Sequence, residues 1–245
     1  MKVKLIPNIL IGISGDSGVG KTTITSMIQE VMGQNCVVLN GDNYHKWERG
    51  DIKWKNFTHL NIHANRLDQA YKDLMLLKSG KEISSAVYNH ETGKFSNSIS
   101  IKPKNVIIYE GLHSFFPEEI NELYDLRIYV KADEPLRRHW KINRDMIHRG
   151  YSKEKVLQQI ESRSNDCLNY IQIQEKFGDI VIHHQLKHNI NSFMQLLGDE
   201  TFKAEFETKT YCLNKAYSNL LEDGSDLKDQ IQTLILGLIK QKNVG

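Results

Sequence analysis

Residues 15–22 read GDSGVGKT. A short apolar run, ILIGIS at 9–14, comes before them, and a segment with helical patterning over about 20–32 follows. Glycine, four residues, glycine, lysine and then serine or threonine is the spacing of a phosphate-binding loop. The chemistry requires these residue types. Gly15, Gly18 and Gly20 let the backbone fold tightly around phosphates without Cβ clashes. The N–H groups then point inward at the positive end of the following helix. Lys21 would reach the β- and γ-phosphates, and Thr22 would supply a hydroxyl to Mg²⁺. The whole loop is expected to hold ATP, with Asp16, Ser17, Val19 and Thr23 completing it. The bland alternative is a glycine-rich turn that caps a helix. A strand before it and a helix after it favour the phosphate loop.

Beyond this loop, short unbroken apolar runs recur at 36–40 (CVVLN), 105–109 (NVIIY), 126–130 and 179–182 (DIVI). Helical patterns separate them, at 64–77, 117–123, 134–148 and 152–163. Residues 82–101 read as a hairpin turning near Glu91-Thr92-Gly93, and 41–63 as a long polar loop. Alternating buried strands and helices give an α/β fold with a mostly parallel sheet covered on both faces. The expected class is a three-layer P-loop NTPase sandwich with a helical lid over about 134–170. The texture changes after residue 183. We expect a core over 1–183 and a helical C-terminal extension over 184–245 packed on it, which offers a face for a homodimer.

The strand ends carry the next chemistry. NVIIYEG puts Glu110 at the tip of a buried strand, where it could hold Mg²⁺ through water. In open α/β sheets ligands gather beyond the carboxyl ends of the strands. Asp42 and His45, in GDNYHKWERGD at 41–51, follow the second strand and would meet there. Asp42 would accept a proton from an attacking hydroxyl. Arg49 and His45 suggest an anionic acceptor, because arginine binds phosphate bidentately. The competing reading is a solvated loop. The basic helix EPLRRHWKINRDMIHRG at 134–150 suits a lid whose cations neutralise a moving phosphoryl group. Arg144 and Arg149, flanking Asp145, are its candidates; Trp140 and Ile142 read most simply as core.

Bulk properties narrow the field. The 245 residues carry 40% hydrophobic and 25% charged side chains and a formal net charge of +2. That near balance gives no support to a general nucleic-acid or membrane-surface role. Cys36, Cys167 and Cys212 lack metal-ligand spacing, and an odd count argues against a disulfide framework. No run approaches a membrane span, and the N-terminus lacks a signal peptide's long apolar region. A cytoplasmic protein with a small-molecule substrate is expected.

The phosphate loop, GDNYHKWERGD, FTHLNIHANRLD, SAVYNHETGKF, VIIYEGLH, RIYVKADE, WKINRDMIHRG and IESRSNDCLNYI occur in this order. Together they resemble the phosphoribulokinase/uridine kinase family, over about residues 9–182. The Asp42/His45 pair, His90 in YNHETG, His113 in EGLH and the KINRDM-x-x-RG run lean to the phosphoribulokinase side. The resemblance implies that Asp42 is the catalytic base and Glu110 the metal-linked acid. It implies that His45, Arg49, His90, Arg144, Asp145 and Arg149 bind sugar phosphate and stabilise transfer, with Tyr88 and Arg163 as further candidates. Two departures stand out. Asp16 occupies the position of a cysteine in the light-regulated plant enzymes, and Leu60-Asn61-Ile62-His63 replaces a frequent His-Pro-Asp. The expected activity is transfer of the γ-phosphate of ATP, with Mg²⁺, to a hydroxyl of D-ribulose 5-phosphate or a related pentose or polyol phosphate. A uridine kinase-like nucleoside kinase is the neighbouring reading. An ATP-binding regulatory protein without turnover is the reading from another class.

Overall fold

The computed structural model describes residues 8–187, 205–220 and 225–244. Strand β1 (Ile9–Ser14) lies inside a six-stranded sheet whose strands run in the order β10 (Phe206–Cys212), β9 (Ile180–Leu186), β8 (Leu126–Ala132), β1, β7 (Val106–Gly111) and β2 (Cys36–Asn40). Its parallel neighbours are β7 (Val106–Gly111) and β8 (Leu126–Ala132). Strand β2 (Cys36–Asn40) extends the sheet beyond β7, and β9 (Ile180–Leu186) extends it beyond β8. Every residue of β1 and β7 is buried. That is why these strands read as unbroken apolar runs rather than alternating ones.

Side chains alternate across the sheet and feed two cores. Ile9, Ile11 and Ile13 pack with Ile24 and Ile28 of helix α1 (Lys21–Met32). Ile231, Leu234, Ile235 and Leu238 of the C-terminal helix (Leu227–Val244) join the same core. On the other face Leu10, Leu39, Ile107 and Tyr109 meet Ala70, Leu74 and Leu77 of helix α2 (Leu67–Lys78). The result is the expected three-layer α/β sandwich. Above the carboxyl ends of the strands lie helices α3 (Glu134–Arg149) and α4 (Lys153–Ser162). Among the described residues no helix is long and apolar enough to cross a membrane.

The expected hairpin over 82–101 is two small antiparallel ladders. Strand β3 (Ile83–Ser85) pairs with β6 (Ile99–Ile101), and β4 (Tyr88–Asn89) pairs with β5 (Lys94–Phe95). The long loop after β2 is tied down by short 3₁₀ turns at Gly41–Tyr44, Ile52–Lys55 and Ile62–Ala64.

The tail departs from the expectation of helices alone. Strand β9 runs past residue 183 to Leu186, and β10 (Phe206–Cys212) pairs with it antiparallel, edge to edge. Phe206, Thr208, Thr210 and Tyr211 suit a pleated, half-exposed strand. The C-terminal helix is present, whereas residues 188–204 and 221–224, also expected to be helical, lie outside the described residues.

Candidate active site

The loop of residues 15–20 closes tightly because its glycines adopt positive φ, +145° at Gly15 and +90° at Gly18. A Cβ at Gly15 would sit 2.1 Å from the carbonyl oxygen of Val130. The loop is therefore seated against the tip of β8, a place only glycine fits. The Lys21 ammonium folds back and donates to the carbonyls of Gly15 (2.9 Å) and Asp16 (2.8 Å). Burial pulls it below the usual lysine value, opposed by Glu110, Asp16 and Asp42. The Asp16 carboxylate accepts from Arg137 of α3 (2.9 Å), from the Cys167 thiol (3.2 Å) and from the Ser17 N–H (2.6 Å). Its side chain thus moors the loop to the helices above it.

At the tip of β7 the buried Glu110 carboxylate accepts from the hydroxyls of Thr22 (3.1 Å) and Thr25 (2.7 Å). Two oxygen donors, Thr22 and Glu110, stand side by side at the loop's mouth. That suits Mg²⁺, a hard cation that takes few protein oxygens and keeps several waters.

Asp42 is presented by the turn after β2. The Asn40 side chain caps that turn by accepting from the Asp42 N–H (2.8 Å), and the Tyr44 hydroxyl donates to the buried Asp73 (2.8 Å). The Asp42 carboxylate lies 3.3 Å from His45 Nε2 and 2.9 Å from His90 Nε2. Asn65 donates its amide hydrogens to the carbonyls of His59 and Asn61, so its oxygen faces His45 Nδ1 at 2.7 Å. Both His45 nitrogens therefore meet acceptors, an arrangement that favours the doubly protonated ring. Burial opposes that charge, but Asp42 raises the His45 pKa. In return, burial works against the Asp42 carboxylate while His45 and His90 hold it well below the usual range.

The cations of α3 converge on one acid. Lys141, Asp145 and Arg149 are spaced four residues apart and share a helix face. Asp145 is fully buried and sits 2.7 Å from Lys141, 2.8 Å from Arg144 and 3.3 Å from Arg149. Burial opposes its ionisation, and Lys141 and Arg144 overcome that. Burial also pulls Lys141 down to about 8. Arg144 donates to the Ser17 hydroxyl (3.0 Å), tying α3 to the phosphate loop. Arg49 is held elsewhere, donating to the carbonyls of His90 and Glu91 and, through its own N–H, to Gly93 at 2.7 Å. The Tyr88 N–H donates to the Asn43 side chain (2.9 Å), which fixes β4 beside the Asp42 turn.

Two of the cavities among the described residues meet near the loop. One is lined by Asp42, His45, Arg49, Tyr88, His90 and Arg149, the acid and the substrate residues read from the sequence. The other holds Gly18, Gly20, Lys21, Thr22, Thr23 and Arg144. Arg144 and Arg149 therefore face different chambers although they are one and a half turns apart. Sequence reasoning missed Lys141, Tyr151, Gln159 and His59 as lining of the first cavity. The signal for Lys141 was its four-residue spacing from Asp145. His59 stacks on Trp54 at 3.8 Å, and burial, with His45⁺ and Arg163⁺, depresses it to about 2, so its ring is neutral. Trp140, read as core, instead lines the second cavity with His184 and Phe206, while Ile142 is indeed buried.

A phosphate loop, a strand-tip acid beside its threonine, and a basic helix over both define a P-loop kinase. The chain belongs to the phosphoribulokinase/uridine kinase family, whose model matches residues 10–191. It is 37% identical to the phosphoribulokinase of Synechocystis sp. over 183 residues, 74% of this chain and 55% of that protein. The chloroplastic phosphoribulokinase of Mesembryanthemum crystallinum is 34% identical over 192 residues, 71% of this chain and 48% of that one. The chain thus spans about half the length of these relatives. The uridine kinase of Borrelia turicatae is 32% identical over 205 residues, 78% of this chain and 97% of that protein. In fold, the chain resembles a phosphoribulokinase from Rhodobacter spheroides, with a TM-score of 0.74, 19% identity and coverage of 97% and 99% of the two chains.

Proposed function

We propose that the chain is a kinase that phosphorylates a hydroxyl of a sugar phosphate, D-ribulose 5-phosphate or a related pentose or polyol phosphate. The observation that carries this reading is the cavity around Asp42, where one ionised acid faces His45, Arg49, Lys141 and Arg149. These cations already serve Asp42, Asp145 and backbone carbonyls; a phosphate ester gives them a further anionic partner at the cavity, and an uncharged nucleoside does not. When bound, Mg²⁺-ATP supplies the phosphoryl group and the cation that offsets its charge. Lys21 and the loop N–H groups would hold its phosphates, and Thr22 and Glu110 would hold the cation. Asp42 orients the acceptor hydroxyl and takes its proton. Held ionised by His45 and His90, it is a weak base at rest and accepts the proton late, as the hydroxyl becomes acidic. Arg144, tied to Ser17 of the loop, would offset charge on the donor phosphates, and Arg149, in the cavity of Asp42, would hold the acceptor. Uridine kinase-like activity has the near full-length match to the Borrelia turicatae protein in its favour. ADP formation against a panel of pentose phosphates, uridine and cytidine separates the two readings.

Two further results are expected. Gly93 has a φ of +73°, and a Cβ there would lie 2.3 Å from Arg49 Cβ. Gly93→Ala should therefore dislodge Arg49 and raise KM for the acceptor. A charge-assisted hydrogen bond of about 1.5–3 kcal/mol converts to a rise of roughly ten- to a hundredfold. KM for ATP should hold; an unchanged acceptor KM would remove Arg49 from the site. Lys141, at about 8, is an ammonium below that pH and a neutral amine above it. Acceptor kcat/KM should accordingly fall as pH rises through about 8, and Lys141→Arg should move that limb upward, since guanidinium stays charged. An identical alkaline limb in the variant would assign the titration to another group.

A further inference from the structure

The second cavity has an aromatic wall that the phosphate loop does not explain. Trp140 comes from α3, His184 from β9 and Phe206 from β10. Their ring centroids are 5.0 Å apart for Trp140 and Phe206, 5.4 Å for Trp140 and His184, and 5.7 Å for His184 and Phe206. All three meet edge to face. They share a cavity of about 350 Å³ with Gly18, Lys21, Thr22 and Arg144.

The three rings are fixed to different degrees. His184 is buried, pairs through Nδ1 with Thr208 (2.8 Å) across the β9–β10 ladder, and is pushed down to about 4 by burial, so its ring is neutral. Its Nε2 lies 3.4 Å from where a Cβ on Gly20 would sit, so the ring stands against the phosphate loop. Phe206 is 40% exposed and lines this cavity. Nothing in a sheet edge requires an uncharged aromatic corner at the mouth of a strongly polar loop. A flat, uncharged, polarisable group joined to phosphates does require one, because aromatic faces and edges bind such rings whatever their hydrogen-bonding pattern. Phe206 also lies beyond residues 10–191, the span that the family model matches.

We propose that β10 is part of the nucleotide site, with Phe206, Trp140 and His184 gripping the base of the nucleoside triphosphate donor. This rests on the reading of the chain as a nucleotide-dependent kinase. The grip also joins the tail to the lid, because Trp140 stands one turn before Arg144 on α3.

The test compares two probes without any acceptor: Mg²⁺-ATP, and Mg²⁺ with inorganic triphosphate, which has no base. Wild-type protein should bind ATP more tightly. Phe206→Ala should weaken ATP about ten- to a hundredfold, the range that loss of one base–aromatic stack produces, and leave triphosphate affinity unchanged. Phe206→Tyr, which keeps the ring and guards against a folding defect, should retain ATP affinity. Unchanged ATP affinity in Phe206→Ala overturns the proposal. So does an equal loss for ATP and triphosphate, which would mean a disturbed loop rather than a lost base contact. Wild-type protein that binds triphosphate as well as ATP overturns the base grip while leaving the phosphate site standing. Wild-type protein that binds neither overturns the kinase reading together with this inference.

Discussion

Replacing Asp42 by Asn is expected to lower turnover about 10³- to 10⁴-fold, the upper part of what a general base contributes, with nucleotide affinity little changed. The side chains are the same size, so the capped turn of Asn40 to Tyr44 has no reason to move. Asn can still receive one hydrogen bond, from His45 or His90, and can orient a hydroxyl. It cannot take the proton. The loss spreads one residue further. His45 keeps its charge against burial chiefly because of Asp42, so the variant should also shed the imidazolium and bind an anionic acceptor less well. Steady-state kcat with ATP binding measured separately would check this. Unchanged turnover would remove Asp42 from its role.

Lys21→Met is expected to cost about 10²- to 10³-fold in kcat, the usual effect of deleting one preorganised donor at developing charge. Its effect on stability should run the other way. The ammonium gains two carbonyl hydrogen bonds, to Gly15 and Asp16, yet burial already disfavours its charge. Exchange for an apolar side chain of similar length removes that penalty. The melting temperature should therefore hold or rise while activity collapses. A variant that loses activity and melting temperature together would make Lys21 a structural residue of the loop.

The site was legible where chemistry and strand ends coincide. The phosphate loop announces itself by spacing, and Glu110 and Asp42 each follow a run of apolar residues whose sheet position is forced by burial. His90 came only through the family resemblance, because a two-residue ladder, β4 with β5, gives no periodic signal. The roles of buried charges were harder. Asp16 reads as part of the nucleotide cradle, but its carboxylate turns to Arg137 and Cys167, partners 121 and 151 residues away in sequence. Trp140 reads as core because a large apolar residue on an amphipathic helix usually is. What makes it a cavity wall is β10, a strand that sequence patterning assigns to a helical tail. Short edge strands with half-exposed Thr and Tyr carry little periodic information, since their pairing rather than their own sequence decides them.

On the proposed reading, the site presents an anionic acceptor to Asp42 for phosphoryl transfer. The most direct measurement is ADP release from Mg²⁺-ATP with D-ribulose 5-phosphate, ribose 5-phosphate, uridine, cytidine and no acceptor, compared side by side. Turnover that appears with a pentose phosphate and stays at the no-acceptor level with both nucleosides is the predicted result. Turnover with uridine or cytidine and none with any sugar phosphate would contradict it.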